Sequence, residues 1–282
     1  MKSLNVFVIG AGAMGNGIAQ ICAQWEHRVK ITDAYADALA KALENIKWSL
    51  AKMEEKGTLK ESSASIFSRI RACSDVTDAK DSDIVVEAAY ENLEVKRDIF
   101  KRLEEVCPEK TIFGTNTSSI PITEIATGLK HPERVVGIHF FNPVHKMRLV
   151  EIIMGLLTGE ETVSVAKEFV ISIHKEPVIV KRDTAGFIVN RINGMAFLEA
   201  LRLYEGGVAS VKDIDKAMKL ALGHPMGPFE LMDLVGLDVV LNARMAIYNE
   251  TRSPAHYPPA VLKKMVESGF LGRKTKKGFY NY

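Results

Sequence analysis

Over its first two thirds the chain alternates short unbroken apolar runs with longer stretches whose apolar positions recur every three or four residues. The runs at residues 5–9, 29–32, 84–88, 111–114, 135–141, 149–154 and 177–180 predict strands, rich in Val, Ile and Phe and buried on both faces. Between them Leu39, Leu43, Ile46, Leu50 and Met53 step by three and four, predicting a helix over 36–55. Residues 93–106 and 162–173 carry the same period more weakly. Alternation of continuous apolar strands with amphipathic helices predicts a parallel, doubly wound sheet.

Beyond Arg182 the pattern changes. Residues 183–185 read as a helix start, and 186–204, 211–222, 228–249 and 259–268 all read as helices. Gly206-Gly207, Gly223-His224-Pro225 and Gly227-Pro228 punctuate them, with Pro228 suited to a first helical turn. The expected fold class is therefore α/β: a Rossmann-type doubly wound, mostly parallel sheet over residues 1–183, followed by a smaller all-helical domain over 184–282. A length of 282 residues fits two domains at about 150 residues each.

Composition narrows the function. With 47% hydrophobic and 26% charged residues the chain is expected to be globular, not disordered. A formal net charge of +2 offers no field that would draw it to nucleic acid or to a membrane surface. Cys22, Cys73 and Cys107 lie far apart, with no metal-ligand spacing around them, so no metal is expected and a reducing compartment, the cytoplasm, is. The opening apolar stretch to Ala23 is broken by Asn5, Asn16 and Gln20 as well as by glycines, and reads as strand, turn and helix rather than as a signal peptide. No run approaches the roughly 18 apolar residues of a membrane span.

The turn itself carries chemistry. Gly10-Ala11-Gly12-Ala13-Met14-Gly15 matches G-x-G-x-x-G directly after the strand Val6-Phe7-Val8-Ile9. The first glycine permits the tight turn, the second lets the backbone approach a pyrophosphate, and the third lets the next helix pack close. That helix directs its positive end at the phosphates. Eighteen residues past Gly15 the second strand ends in Asp33, placed to accept from ribose hydroxyls and to repel a 2′-phosphate, which favours NAD over NADP.

A second constellation lies in residues 135–154. Two apolar runs flank Asn142-Pro143-Val144-His145-Lys146, predicting an antiparallel hairpin centred on His145. Residues whose numbers sum to 290 then face one another, and His139 meets Glu151 on one face of the sheet. A carboxylate beside an imidazole fixes its tautomer and supports its charged form, as a general acid–base requires. His27, His131, His145, His174, His224 and His256 lack such support and read as loop, turn or surface residues. Asn116-Thr117-Ser118-Ser119 follows another strand end, where side chains line the ligand crevice of an open α/β sheet; the same cluster could equally cap a helix.

Together with Val86-Glu87-Ala88-Ala89-Tyr90-Glu91-Asn92, His139-Phe140-Phe141-Asn142-Pro143, Gly186-Phe187-Ile188-Val189-Asn190-Arg191 and His224-Pro225-Met226-Gly227-Pro228-Phe229-Glu230-Leu231, these motifs carry a resemblance. The chain resembles the 3-hydroxyacyl-CoA dehydrogenases over its whole length, the bacterial 3-hydroxybutyryl-CoA enzymes in particular. The resemblance implies an NAD-dependent oxidoreductase, a homodimer, acting on an acyl-CoA. It implies His139 as catalytic base, Glu151 as its orienting partner, and Ser118 and Asn190 as contacts to the reacting oxygen. It further implies Asp33, Glu91, Lys96, Asn142 and Lys274 as cofactor contacts, beside the glycine turn, and Ser49 and Lys56 as CoA contacts. Periodicity alone makes Lys47, Lys52 and Lys56 a solvated helix face, and Arg273 to Lys277 a solvated basic run. Two alternatives stand beside this reading: a dehydrogenase of a CoA-free hydroxy acid on the same fold, and a non-catalytic, crystallin-like NAD-binding protein. Ala185 stands where the family often has proline, a departure at the joint between the domains.

Overall fold

Eight strands pair into one sheet in the computed structural model, which describes residues 3–282. The strands are β1 (Asn5–Ile9), β2 (Arg28–Thr32), β3 (Ile70–Ala72), β4 (Ile84–Glu87), β5 (Ile112–Thr115), β6 (Val135–Phe140), β7 (Leu149–Ile153) and β8 (Glu176–Val180). They lie in the order β3-β2-β1-β4-β5-β6-β7-β8. The first six run parallel; β7 is antiparallel to β6, and β8 is parallel to β7. After β1 the chain winds outward through β2 and β3, then returns to place β4 on the other side of β1. Such a switch point opens a crevice at the carboxyl ends of β1 and β4.

The helices between strands are α1 (Ala13–Gln24), α2 (Ala36–Glu55), α3 (Ser63–Phe67), α4 (Leu93–Val106), α5 (Ile122–Ala126) and α6 (Glu160–Ser172). Each long one buries the stripe its period dictates. Helix α2 buries Ala42, Ile46 and Leu50, while Lys47, Lys52 and Lys56 stay exposed. Helix α4 starts where the Asn92 side chain accepts from the N–H of Val95, and it buries Ile99, Phe100 and Leu103 against the sheet. Phe7, Val8, Val85, Phe113, Ile138 and Val170 have no exposed surface. Each such side chain contributes about 1.5–3 kcal/mol on burial.

The chain divides into two compact units, the second running Ala185–Tyr282. This unit is helical: α7 (Val189–Glu205), α8 (Val211–Leu222), α9 (Pro228–Val235), α10 (Leu237–Thr251) and α11 (Ala260–Glu267). They enclose Leu198, Leu201, Phe229, Met232, Leu237 and Leu262. Two buried aspartates organise it. Asp215 accepts from the N–H groups of Phe229 and Glu230 at the start of α9. Asp233 accepts from the N–H groups of Phe279 and Tyr280 and so docks the C-terminal tail.

Four expectations need correction. Residues 228–249 form two helices, broken at Gly236, whose φ of 105° is left-handed. Helix α7 begins at Val189, because Gly186 and Phe187 both take positive φ, and residues 183–185 start no helix. Strand β3 was not expected: three residues with Arg71 at their centre show no apolar run. His27 and His256 lie in a loop and a single 3-10 turn, as read, but neither is at the surface: both are buried.

His27 makes a pH prediction. Its Nδ1 accepts from the N–H of Leu4 (3.1 Å), so its Nε2–H faces the Ser172 hydroxyl (2.8 Å). Burial holds its pKa below the ordinary 6.5, as it does for His145 and His256. A histidine kept neutral by folding contributes stability that is present above the unfolded pKa and lost as pH falls below it. Melting temperature is therefore expected to hold above about pH 7 and to decline as pH falls below about 6.5, less steeply in His27→Gln. Parallel wild-type and variant profiles would contradict the assignment to His27.

Candidate active site

The parallel register brings four strand ends to one edge. Ile9 pairs with Glu87 and Glu87 with Thr115, so the turn after β1, the wall after β4 and the loop after β5 stand in line. Thr115 pairs with Gly137, so β6 continues past the end of β5 and carries His139 beyond it.

The turn after β1 has the form that a dinucleotide needs. A Cβ on Gly15 would overlap the carbonyl of Gly10, and one on Gly10 would overlap the backbone of Ala88. A Cβ on Gly12 would meet nothing within 4 Å, so this position faces open space at the start of α1. Asp33 accepts from the N–H of Ala11 (2.6 Å) and of Tyr35 (2.9 Å), which fixes its carboxylate at the rim. The cleft measures about 1060 Å³ and runs from Gly10, Gly12 and Asp33 past Val76, Ile99 and the exposed Tyr90. Four acids (Asp33, Asp75, Glu94 and Asp98) line it, and its one arginine, Arg102, is paired with Asp75 at 2.7 Å. Room, backbone donors and acidic rim fit NAD and disfavour an extra phosphate.

The hairpin of β6 and β7 pairs His139 with Glu151, as the sum of 290 requires. Nδ1 of His139 lies 2.8 Å from Oε2 of Glu151, and the two side chains are 6% and 0% exposed. An ionised carboxylate can only accept, so the ring carries its proton on Nδ1 and Nε2 becomes the acceptor. The Phe141 ring packs 4.6 Å from the imidazole, centroid to centroid.

Ser118 is exposed on the loop after β5, which Glu91 holds. Oε1 of Glu91 accepts from the Thr117 hydroxyl (2.6 Å) and from the N–H groups of Ser118 (3.1 Å) and Ser119 (3.2 Å). Burial pushes the Glu91 carboxyl up, but Lys96 and these donors outweigh it and hold it below the usual range. The helix-capping alternative for this cluster fails, since α5 begins at Ile122 with Pro121 at its N-cap and no side-chain cap. The Asn116 side-chain carbonyl is bonded to the N–H of Phe140 instead (2.8 Å).

Other expected site residues are placed as follows. Lys96 sits inside, 1% exposed, with its ammonium on Glu87 and Glu91. Asn142 is exposed at the hairpin loop. Ser49 and Lys56 share α2, the first half-buried and the second exposed at its C-cap. In the helical unit Asn190 stands in the first turn of α7, its carbonyl accepting from Arg244 (2.8 Å), and Lys274 is paired with Asp238. Glu87 received no role from sequence, although a glutamate inside the apolar run 84–88 was the available signal.

A dinucleotide cradle at the switch point, with a carboxylate-braced imidazole on the same sheet edge, marks an oxidoreductase of the dinucleotide-binding class. Comparison narrows this. Residues 5–184 match the model of the 3-hydroxyacyl-CoA dehydrogenase NAD binding domain, and residues 186–282 that of the family's C-terminal domain. The chain is 45% identical over 280 residues to a 3-hydroxybutyryl-CoA dehydrogenase of Clostridioides difficile, covering 99% of each. It is 44% identical to the mitochondrial hydroxyacyl-coenzyme A dehydrogenase of Homo sapiens, covering 99% of this chain and 91% of the relative. The crystal structure of (S)-3-hydroxybutyryl-CoA dehydrogenase PaaH1 from Ralstonia eutropha superposes with a TM-score of 0.95 at 39% identity, covering 100% and 99%. The chain belongs to the 3-hydroxyacyl-CoA dehydrogenase family, whose members are NAD-dependent enzymes. Among the described residues no helix is long and apolar enough to cross a membrane.

Proposed function

We propose that the protein interconverts an (S)-3-hydroxyacyl-CoA and the matching 3-ketoacyl-CoA, with short chains such as 3-hydroxybutyryl-CoA as its substrates. The observation that carries this is the 2.8 Å pair of His139 and Glu151, buried at the strand-end edge beside the Ser118 loop. NAD, when bound, supplies the hydride acceptor in oxidation and the donor in reduction. His139 takes the proton of the 3-hydroxyl on Nε2 and returns it in the reverse direction. Glu151 keeps the ring oriented and stabilises the charge it gains. Ser118 and Asn190 hold the reacting oxygen.

Gly10, Gly12, Ala13, Met14, Gly15 and Asp33 hold the pyrophosphate and ribose end of the cofactor, with Glu91, Lys96, Asn142 and Lys274 completing its contacts. Ser49 and Lys56 take the CoA moiety. In this reading residues 1–183 serve the nucleotide, and residues 184–282 serve the substrate and a homodimer. Exposed Ile192, Leu220 and Leu222 on the helical unit support a subunit contact. The three free thiols, Cys22, Cys73 and Cys107, support a cytoplasmic setting.

The test follows NADH absorbance with acetoacetyl-CoA and with free acetoacetate. Turnover is expected with the thioester and not with the free acid, because binding of the remote CoA portion is needed to position the reacting carbon. Equal turnover of the free acid would overturn the substrate assignment.

A further inference from the structure

The carboxylate of Glu87 has no exposed surface and no part in the chemistry above. It ends β4, the strand beside the switch point, with Ile9 on one side and Thr115 on the other. Its Oε2 accepts from the Thr115 hydroxyl (2.7 Å). Its Oε1 accepts from the N–H of Ala89 (2.7 Å) and from the Lys96 ammonium (2.7 Å). Lys96 reaches in from the first turn of α4 and also lies 3.3 Å from Oε2 of Glu91. The other oxygen of Glu91 gathers the hydroxyl of Thr117 and the N–H groups of Ser118 and Ser119.

We propose that Glu87 is a positioning residue that couples the wall of the nucleotide cleft to the loop presenting Ser118. On one side it fixes Ala88 and Ala89, the backbone against which Gly10 packs. On the other it sets the Lys96 ammonium, which sets Glu91, which sets three consecutive loop residues. Three donors hold the Glu87 carboxylate in one geometry inside the sheet edge. Two carboxylates share the single ammonium. With Glu87 uncharged, Lys96 would pair with Glu91 alone and draw it off the loop's N–H groups. A buried lysine left short of a partner is costly, which makes that rearrangement the favoured response.

The proposal deepens the reading in which Ser118 contacts the reacting oxygen, and it rests on that reading. Its test is steady-state kinetics of Glu87→Gln with acetoacetyl-CoA and NADH, beside thermal melting. A loop displaced by a fraction of an ångström misplaces the oxygen contact but not the CoA. The expected result is a kcat lowered about 10- to 100-fold, with KM for the thioester nearly unchanged. Normal kcat per folded enzyme, even with a lowered melting temperature, would overturn it and leave Glu87 merely structural. If Glu87→Gln alone does not fold, Glu87→Asp, which keeps the charge but draws the carboxylate back from Lys96 and Ala89, gives the same readout and the same two outcomes. Ser118→Ala separates the two claims. A normal kcat in Ser118→Ala removes the oxygen contact and the proposal with it; a lowered kcat there with a normal Glu87→Gln removes the proposal alone.

Discussion

His139→Gln is expected to lower kcat by about 10²–10⁴-fold, the contribution of a positioned general acid–base. Glutamine keeps a donor for Glu151 and comes close to the volume of the ring, so the buried pair of β6 and β7 stays filled and hydrogen-bonded. What it lacks is a second ring nitrogen able to take up and return a proton. The loss should therefore fall on kcat, while NADH affinity and melting temperature remain near those of the parent. Fluorescence titration with NADH and a thermal melt check the two controls. A kcat within a few-fold of the parent would remove His139 from the reaction.

Asp33→Ala is expected to weaken NAD binding strongly and leave KM for the thioester nearly unchanged. The substitution removes a carboxylate that accepts from Ala11 and Tyr35, so the turn over the pyrophosphate loosens as the ribose contact is lost. Hydrogen bonds to a charged group contribute about 1.5–3 kcal/mol each, and loss of one weakens Kd by about 10- to 150-fold. The acidic rim loses one charge as well, so discrimination against NADP should narrow. Calorimetric titration with NAD reads the effect directly. Unchanged affinity would show that Asp33 does not bind the cofactor.

Much of this architecture is legible where physics acts locally. The period of Leu39, Leu43, Ile46, Leu50 and Met53 defines α2, which spans Ala36–Glu55 as expected. A hairpin constrains its own register, so counting about His145 was enough to pair His139 with Glu151. The misses arise where local signals end. Strand β3 is three residues long, too short for any period, and forms because β2 offers it a partner. The break at Gly236 hides inside an apolar stretch that continues the helical pattern on both sides. Parallel neighbours are joined by whole helices rather than by turns, so nothing near Glu87 in the chain indicates that Thr115 will lie beside it. The charge network beneath Ser118 depends on that register and on α4 delivering Lys96, and was invisible for the same reason. His27 is buried by α6, through Ser172, which lies 145 positions away.

The central claim is that His139 and Glu151 act as one unit in a single proton transfer. A double-substitution cycle on kcat tests it most directly. Glu151→Gln should lower kcat while His139 is present, because the ring loses its orienting acceptor. Once His139 is glutamine there is no imidazole left to orient, so His139→Gln/Glu151→Gln should be no slower than His139→Gln by more than a few-fold. Losses that multiply in the double variant would contradict the account and show two side chains working independently.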